Sequence, residues 1–444
     1  NNKTLDIASS RIKEIVHIGE NEYTTVELTK LLVRRMPRES LTYWGCMYYN
    51  VFRGSRGVTA LQRIFHLKSK EEAIELGTTL QSKGYITHVT KDHAFNDNGY
   101  YFRLQPFQTP NILNSFLIWN NEGMTMKVAD KDKDDDGKNN DNATPIRIIH
   151  RLSKLWGKLE SRHLNQEGMV DHSTLRNDDS YWKFEAEVCE IQRISLRDDM
   201  VNDYTNGDDD ATKMAFVINV YNLMIKYAFV KLGIPSTSSS RSSFFSDILI
   251  NIGDDLFSFN DLEHGILRAN TRHPYQVSKP FGIRDSRRML SLQTLDPRIH
   301  FALNCGAKSC PPVKRYTPES IQEELRLAAM AFCESEENVS MEEEKSVLYL
   351  SKILYWYMSD FVASKEDLPK KIAEYLRGKK KEKLEKLQKG HSRVTVDFLE
   401  YDWSSNDINF ITYGKGNLSS KRVFPHSTKN PPPQIYEKVT DGDF

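Results

Sequence analysis

Residues 129–142 read ADKDKDDDGKNNDN, and this run constrains the fold more than any other stretch of the chain. A segment this polar cannot bury enough surface to repay its ordering entropy, so no single core can be threaded through it. The chain must therefore consist of at least two folding units joined by a flexible linker. The shift in composition runs over residues 111–144. It leaves a compact unit at 10–110, a longer unit at 145–410, and polar tails at 1–9 and 411–444, the latter carrying Pro431-Pro432-Pro433. Within the linker, Asp132, Asp134, Asp136 and Gly137 fit the first half of an EF-hand loop. The twelfth position is Ala143, where a bidentate Glu is needed, so a solvated linker is expected in place of a calcium site.

Lys plus Arg equals Asp plus Glu at 61 each, which argues against a surface committed as a whole to nucleic acid or an anionic membrane but leaves room for a local basic patch. The 6 Trp, 20 Tyr and 21 Phe are more than a disordered chain would hold, so real cores are expected. The five cysteines, Cys46, Cys189, Cys305, Cys310 and Cys333, are too sparse for a disulfide framework and contain no Cys-x-x-Cys. A reducing, intracellular setting follows. With no zinc spacing, Gly-rich phosphate loop or nucleotide fingerprint, no cofactor or resident metal is expected. The most apolar stretch, Ala215 to Val230, holds Asn219, Asn222 and Lys226 and is too short and polar for a transmembrane helix. The chain opens Asn1-Asn2-Lys3, which reads as a fragment or a processed product.

In the first unit, Val26, Leu28, Leu31, Leu32 and Met36 fall near helical spacing. Ser69 with Glu72 has the shape of a capping box, followed by a helical stripe at Ala73, Leu76, Gly77 and Leu80 that Gly84 ends. Tyr85–Val89 and Tyr100–Leu104 read as strands around a turn at 95–99, which predicts a small helical bundle finished by a hairpin. His88 reads as a strand packing residue, and neither it nor His93 carries a site argument. Phe52-x-Gly54-Ser55-x-x-Val58, Ala73-x-x-Leu76-Gly77-x-x-Leu80, Gly84-Tyr85-Ile86-x-His88-Val89, Phe95-x-Asp97 and Phe102-Arg103-Leu104 together resemble the DEP family. Ala60 stands where that family usually has Trp, so that part of the core is expected to pack differently. The resemblance implies a winged-helix-like docking module for membranes or receptor tails. Residues 11–110 carry 14 basic against 10 acidic side chains, and Arg34, Arg35, Arg38, Arg53 and Arg56 form either a lipid-facing patch or ordinary solvated surface.

The second unit reads as mixed α and β. Ala215–Met224 is a buried helix, with Asn219 and Asn222 on one face, either binding a neighbouring loop or lining a site. Ser258–Arg268 begins another helix, in which Asn260 caps, Glu263 completes a capping box, and His264 sits in the first turn as a neutral imidazole suited to a general base. Arg298–Asn304 looks like a strand leading into Cys305-Gly306-Ala307-Lys308-Ser309-Cys310. There Cys305 is either a thiol exposed at a tight turn, activated by Lys308, or a small buried hydrophobe. Cys310, against Pro311 and Pro312, reads as structural, and a Cys305–Cys310 disulfide is the less favoured alternative. Thr317 and Pro318 start a helix whose apolar face is Ile321, Leu325, Ala328 and Phe332; further helices fall at 350–361 and, with interleaved charges, at 379–389. Val394–Leu399 alternates as a strand.

Phe216-x-x-Asn219-x-Tyr221-Asn222, Leu262-Glu263-His264-x-Ile266-Leu267-Arg268 and His300-Phe301-Ala302-Leu303-x-Cys305-Gly306 resemble the domain of unknown function 547 family. Pro311, Tyr316, Thr317, Trp356-Tyr357-x-x-Asp360-Phe361 and Tyr401-Asp402-Trp403-Ser404 follow in family order, placing its core at about 203–409. The fold expected is thus α+β and multidomain. Two functions are consistent with these residues. In one, the chain is a cytoplasmic signalling or scaffold protein, peripheral at membranes, whose DEP-like unit docks to a signalling protein or an anionic membrane surface, with no nucleic-acid partner. In the other, the second domain is a thiol hydrolase. Cys305 is then the nucleophile, His264 the base, Asp402 or Asn219 the group that orients it, and Gly306 or Lys308 an aid to the oxyanion. The order of His before Cys resembles permuted papain-like enzymes. Nothing in the sequence indicates an oligomeric state.

Overall fold

The computed structural model describes residues 15–43, 46–109, 111–116, 144–197, 209–253, 255–274, 276–390 and 394–414. The acidic run with Asp132, Asp134 and Asp136, residues 1–9 and the Pro431–Pro433 segment lie outside the described residues.

A hairpin of β1 (Ile15–Ile18) and β2 (Asn21–Thr24) leads into α1 (Thr25–Arg35). Thr24 and Glu27 close a capping box at its start, each side chain accepting from the other's backbone N–H. There follow β3 (Glu39–Tyr43), β4 (Cys46–Arg53), α2 (Gly54–Phe65), α3 (Lys70–Ser82), β5 (Ile86–His88) and β6 (Tyr101–Leu104). The four later strands form one antiparallel sheet in the order β3-β4-β6-β5. Ser69 accepts from the Glu72 N–H and Gly84 takes a left-handed φ of 80° after α3, as the spacing predicts, whereas the Glu72 carboxylate accepts from the Lys68 N–H, so the capping box is half made. Gly77 is required by packing, because a Cβ there would meet the Phe95 ring at 2.1 Å. The β3–β4 hairpin does not show in the sequence pattern. Asn50 at φ 51° and a register shift between Glu39 and Leu41 break the alternation, so Tyr48, Tyr49, Val51 and Phe52 are buried in pairs.

The second unit opens with α4 (Pro145–Ser161), β7 (Val170–Asp171), α5 (His172–Asn177) and α6 (Asp179–Glu187). Its axis is α7 (Asp209–Leu232). The span Asp210–Leu232 is long and apolar enough to cross a membrane, but its most apolar window is 89% buried inside the protein, so it is a core helix. After α8 (Ser238–Asp247) and the hairpin β8 (Leu249–Ile252) and β9 (Asp255–Ser258) comes a π-helical turn, Asp261–Leu267. The segment expected as a strand at 298–304 is instead a 3-10 helix, Pro297–Phe301. Asp296 caps it by accepting from the Arg298 N–H, and Pro297 presets its first turn. Next are α9 (Ile321–Glu334), β10 (Val339–Glu342), β11 (Val347–Leu350), α10 (Lys352–Trp356), α11 (Met358–Phe361), α12 (Leu368–Ala373), α13 (Gly378–Gly390), β12 (Thr395–Phe398) and β13 (Asp407–Ile408). Strand β12 pairs parallel to β11, and the sheet with α9 to α13 encloses a separate apolar cluster around Phe301, Phe332 and Leu354.

The two units share a wall. Trp182 and Ala186 of α6, with Cys189, complete the core that holds Leu28, Leu32 and Phe102. Residues 111–116, assigned to the linker from composition, are anchored in the second unit. The Leu113 N–H donates to the Leu249 carbonyl at 2.9 Å, and the Asn114 amide pairs with both backbone groups of Asn251. The fold is α+β, a winged-helix-like unit followed by a larger mixed domain.

Candidate functional site

The loop 304–311 is built from three sides. From α7, the buried Asn222 amide accepts from the Asn304 N–H and donates to the Ala302 carbonyl, both at 2.9 Å. One turn earlier, Asn219 makes the same paired contact with the backbone of Tyr316, at 2.7 and 3.0 Å. The two amides therefore bracket the segment that carries both cysteines, using the shared helix face read from their spacing. On the other side the Lys308 N–H donates to the Ser404 carbonyl, and the Asp402 N–H donates to the Ser309 hydroxyl. At the turn itself Gly306 has φ 88°, and a Cβ there would meet the Phe229 ring at 2.2 Å; conformation and packing both require glycine.

This loop brings Cys305 and Cys310 together with their sulfurs 2.8 Å apart, both as free thiols and both half-buried. Tyr401 points its hydroxyl at the pair, 3.1 Å from the Cys310 sulfur and 3.5 Å from that of Cys305. The Cys305 N–H also donates to the Cys310 sulfur at 3.1 Å. Burial alone would raise the Cys310 thiol. The donors from Cys305, Tyr401 and the backbone of Cys305 and Ala307 outweigh it and bring Cys310 down to about 7. The hydrogen bond to Cys310 and burial push Cys305 up. The two thiols titrate as one coupled pair, in which Cys310 is the more easily ionised and Cys305 the less. Cys310, read as structural from its prolines, thus lies with its sulfur against that of Cys305. Arg241 is a neighbouring cation: its guanidinium lies 3.9 Å from the Trp403 ring centroid and shares with Cys305, Gly306 and Trp403 a shallow cleft of about 10 Å³.

His264 lies in a second, buried cluster. The π-helical turn rotates Glu263 inward, so it caps nothing; it accepts instead from Tyr357 at 2.6 Å and Tyr221 at 3.3 Å. The Arg268 guanidinium donates to both oxygens of Asp360 at 2.6 and 2.7 Å and to the His264 Nδ1 at 3.0 Å. His300 Nε2 donates to Asp360 at 2.7 Å, and its ring stacks on Tyr357 at 3.8 Å. Burial resists the charge on Asp360, but the bonds from His300 and Arg268 hold it down to about 2. Burial, with the positive field of Arg268 and the neighbouring His273 and His300, lowers His264 to about 3 against the pull of Glu263. This lowering favours the neutral imidazole, and its main cause is burial.

Among the four residues singled out from the sequence, no hydrogen bond joins Cys305 to His264, and neither Asp402 nor Asn219 bonds to the imidazole. The Asp402 carboxylate is exposed and accepts from the Ser404 N–H and hydroxyl. Asn219 is occupied by Tyr316 and His150. Asn219 and Asp402 hold the segment that carries Cys305 through contacts at Tyr316 and at Ser309. Sequence reasoning gave no site role to Tyr401 at the thiols, nor to Arg268, His300, Tyr357 and Asp360 around His264, and it read Cys310 as structural, with a Cys305 disulfide the less favoured alternative. All but Cys310 stood in the motif blocks, where side-chain partners cannot be read. A groove of about 490 Å³ also runs beside α4 and α7, bordered by Lys154, Glu160, Asn219, Asn222, Lys226 and Lys314.

Comparison with known proteins matches residues 35–104 to the domain found in Dishevelled, Egl-10 and Pleckstrin (DEP), and residues 206–333 to a protein family of unknown function, DUF547. The vacuolar membrane-associated protein iml1 of Aspergillus oryzae is 37% identical over 73 residues, which are 16% of this chain and 4% of that protein. The blocks at 356–361 and 401–404 fall beyond the DUF547 match, although Tyr357, Asp360 and Tyr401 complete both clusters. The chain carries a DEP domain at residues 35–104 followed by a DUF547 domain at residues 206–333.

Proposed function

We propose that this chain is an intracellular signalling or scaffold protein, cytoplasmic and peripheral at membranes, which its DEP domain docks to an anionic membrane surface or a signalling partner. The observation that carries this reading is an arginine cluster at one end of that domain. The register Glu39↔Val51 sets the start of β3 beside the end of β4; Arg34 and Arg35 close α1 shortly before the one, Arg53 and Arg56 stand at the other, and all four are exposed. Arg56 pairs with Glu39 at 2.7 Å, Arg34 lies over Trp182 and Arg38 over Phe107. Arg35 and Arg53 have no ion-pair partner among the described residues. Near anionic lipid each such charge contributes ~1 kcal/mol. The similar Aspergillus protein is membrane-associated by name, which supports the same direction.

The test is co-sedimentation of the full chain with phosphatidylcholine vesicles, with and without phosphatidylserine. Binding is expected only with the anionic lipid and is expected to fall about tenfold or more in the Arg35→Glu/Arg53→Glu double variant. Binding that ignores the charge reversal would remove the membrane arm of this reading. A second reading, thiol chemistry at Cys305 in the DUF547 domain, draws its support from the Cys305–Cys310–Tyr401 cluster. In it Cys310, 2.8 Å away, is the nearest proton acceptor. The two readings are compatible, since docking would place such a site at a surface.

A further inference from the structure

We propose that Cys305 and Cys310 are a thiol–disulfide exchange site, oxidised by a low-molecular-weight disulfide bearing carboxylates to an intramolecular Cys305–Cys310 disulfide. The geometry already brings the sulfurs to 2.8 Å, so a bond of ~2.05 Å needs them to close by about 0.8 Å. The loop is fixed from both sides by Asn222 and by residues 402–404, and Gly306 makes the turn that faces one cysteine toward the other. Cys305 is also partly exposed. Cys305 lines the cleft with Arg241 and Trp403, and the Arg241 guanidinium favours an anionic reagent. The other cysteines whose side chains are described, Cys189 and Cys333, are buried in separate apolar clusters.

The exchange balances with the groups present. Cys305 passes its proton to the Cys310 thiolate and attacks one sulfur of the reagent disulfide, forming a mixed disulfide and expelling one thiolate. That thiolate takes the proton back from Cys310. The Cys310 sulfur then attacks the Cys305 sulfur, forming the internal disulfide and expelling the second thiolate. The protein loses two electrons and the reagent gains them. The Tyr401 hydroxyl steadies the Cys310 thiolate at the start and at the resolving step.

The experiment titrates the full chain with glutathione redox buffers, alkylates the remaining thiols and maps the peptides by mass spectrometry. The expected product has lost two hydrogens, joined at residues 305 and 310, with Cys189 and Cys333 still alkylated. In the Cys310→Ser variant oxidation is expected to stop at a glutathione adduct on Cys305, and Arg241→Gln is expected to slow the wild-type reaction several-fold. Full retention of both thiols across the buffer range, in protein with an unchanged near-ultraviolet dichroism spectrum, would overturn the proposal. So would equal adducts on Cys305 in wild type and Cys310→Ser. Should that variant not fold, phenylarsine oxide provides an independent reading on the native chain. Capture that is abolished by prior oxidation supports the dithiol, and no capture overturns it.

Discussion

Arg268 and Asp360 are 92 residues apart in sequence and form a two-pronged ion pair, each side chain no more than 3% exposed. The pair ties the π-helical turn to α11, and through His300 it ties both to the segment that enters the cysteine loop. A buried pair of this kind contributes little over a well-packed apolar substitute, but losing one partner strands a charge. Arg268→Ala or Asp360→Ala is therefore expected to cost about 3–5 kcal/mol in denaturant unfolding. The double change Arg268→Met/Asp360→Leu is expected to recover a large part of that loss, and a double-mutant cycle measures the coupling.

How much of this was legible in the sequence depends on whether the controlling interaction is local. The capping at Ser69, the stop at Gly84 and the buried face of α9 follow from residues within a few positions of one another, and all are present. The pairing of Asn219 with Asn222 on one face was legible, but their partners, Tyr316 and Asn304, lie more than 80 residues downstream. Glu263 had the spacing of a capping box, and the widened π turn overrode it by turning the carboxylate toward Tyr221 and Tyr357. Cys310 was read as structural from the prolines that follow it, with pairing to Cys305 the less favoured alternative; the turn at Gly306 brings the two sulfurs face to face.

The neutral state of His264 carries a pH signature. The imidazole faces Glu263, Arg268, His273 and His300, and its folded value is lowered to about 3, whereas the unfolded chain takes up this proton near 6.5. The stability it contributes is fully present above ~6.5 and is lost as pH falls through the window toward 3, at a limiting slope of about 1.4 kcal/mol per pH unit. Asp360, held to about 2, adds a second loss only below ~4. Unfolding free energies measured between pH 7 and 4.5 are expected to fall by close to one proton's worth, and His264→Gln is expected to flatten that slope.

Trp182 tests whether the two domains are one cooperative unit. Its indole fills the core that also holds Leu28 and Leu32, so the DEP domain is closed by a helix from the other side of the linker. Trp182→Ala is expected to destabilise the chain by roughly 3–5 kcal/mol. The loss should appear in hydrogen exchange of α1 as well as of α6. Unchanged protection in α1 would show that the DEP core stands without this wall.

Gly306→Ala separates the two demands on that position. A left-handed φ of 88° costs about 1 kcal/mol or more for alanine, and the Phe229 ring occupies the place of its Cβ. The single variant is expected to lose a few kcal/mol, about 2–4. Adding Phe229→Ala is expected to remove the steric share while keeping the conformational one, at the cost of its own cavity. A thermodynamic cycle over the two positions should therefore show favourable coupling. The absence of coupling would mean that the loop moves away from α7 to admit the side chain.

The thiol pair and the histidine cluster make opposite forecasts for reactivity. If the Cys310 thiolate is the base that readies Cys305, labelling of the full chain by a small electrophile should rise with pH with a midpoint below the ~8.5 of an ordinary thiol. Tyr401→Phe removes the donor 3.1 Å from the Cys310 sulfur and is expected to move that midpoint upward. His264→Asn should leave it in place, because His264 bonds to Arg268 and not to either sulfur. A midpoint that shifts with His264 and ignores Tyr401 would restore the histidine as the base and remove Cys310 from that role.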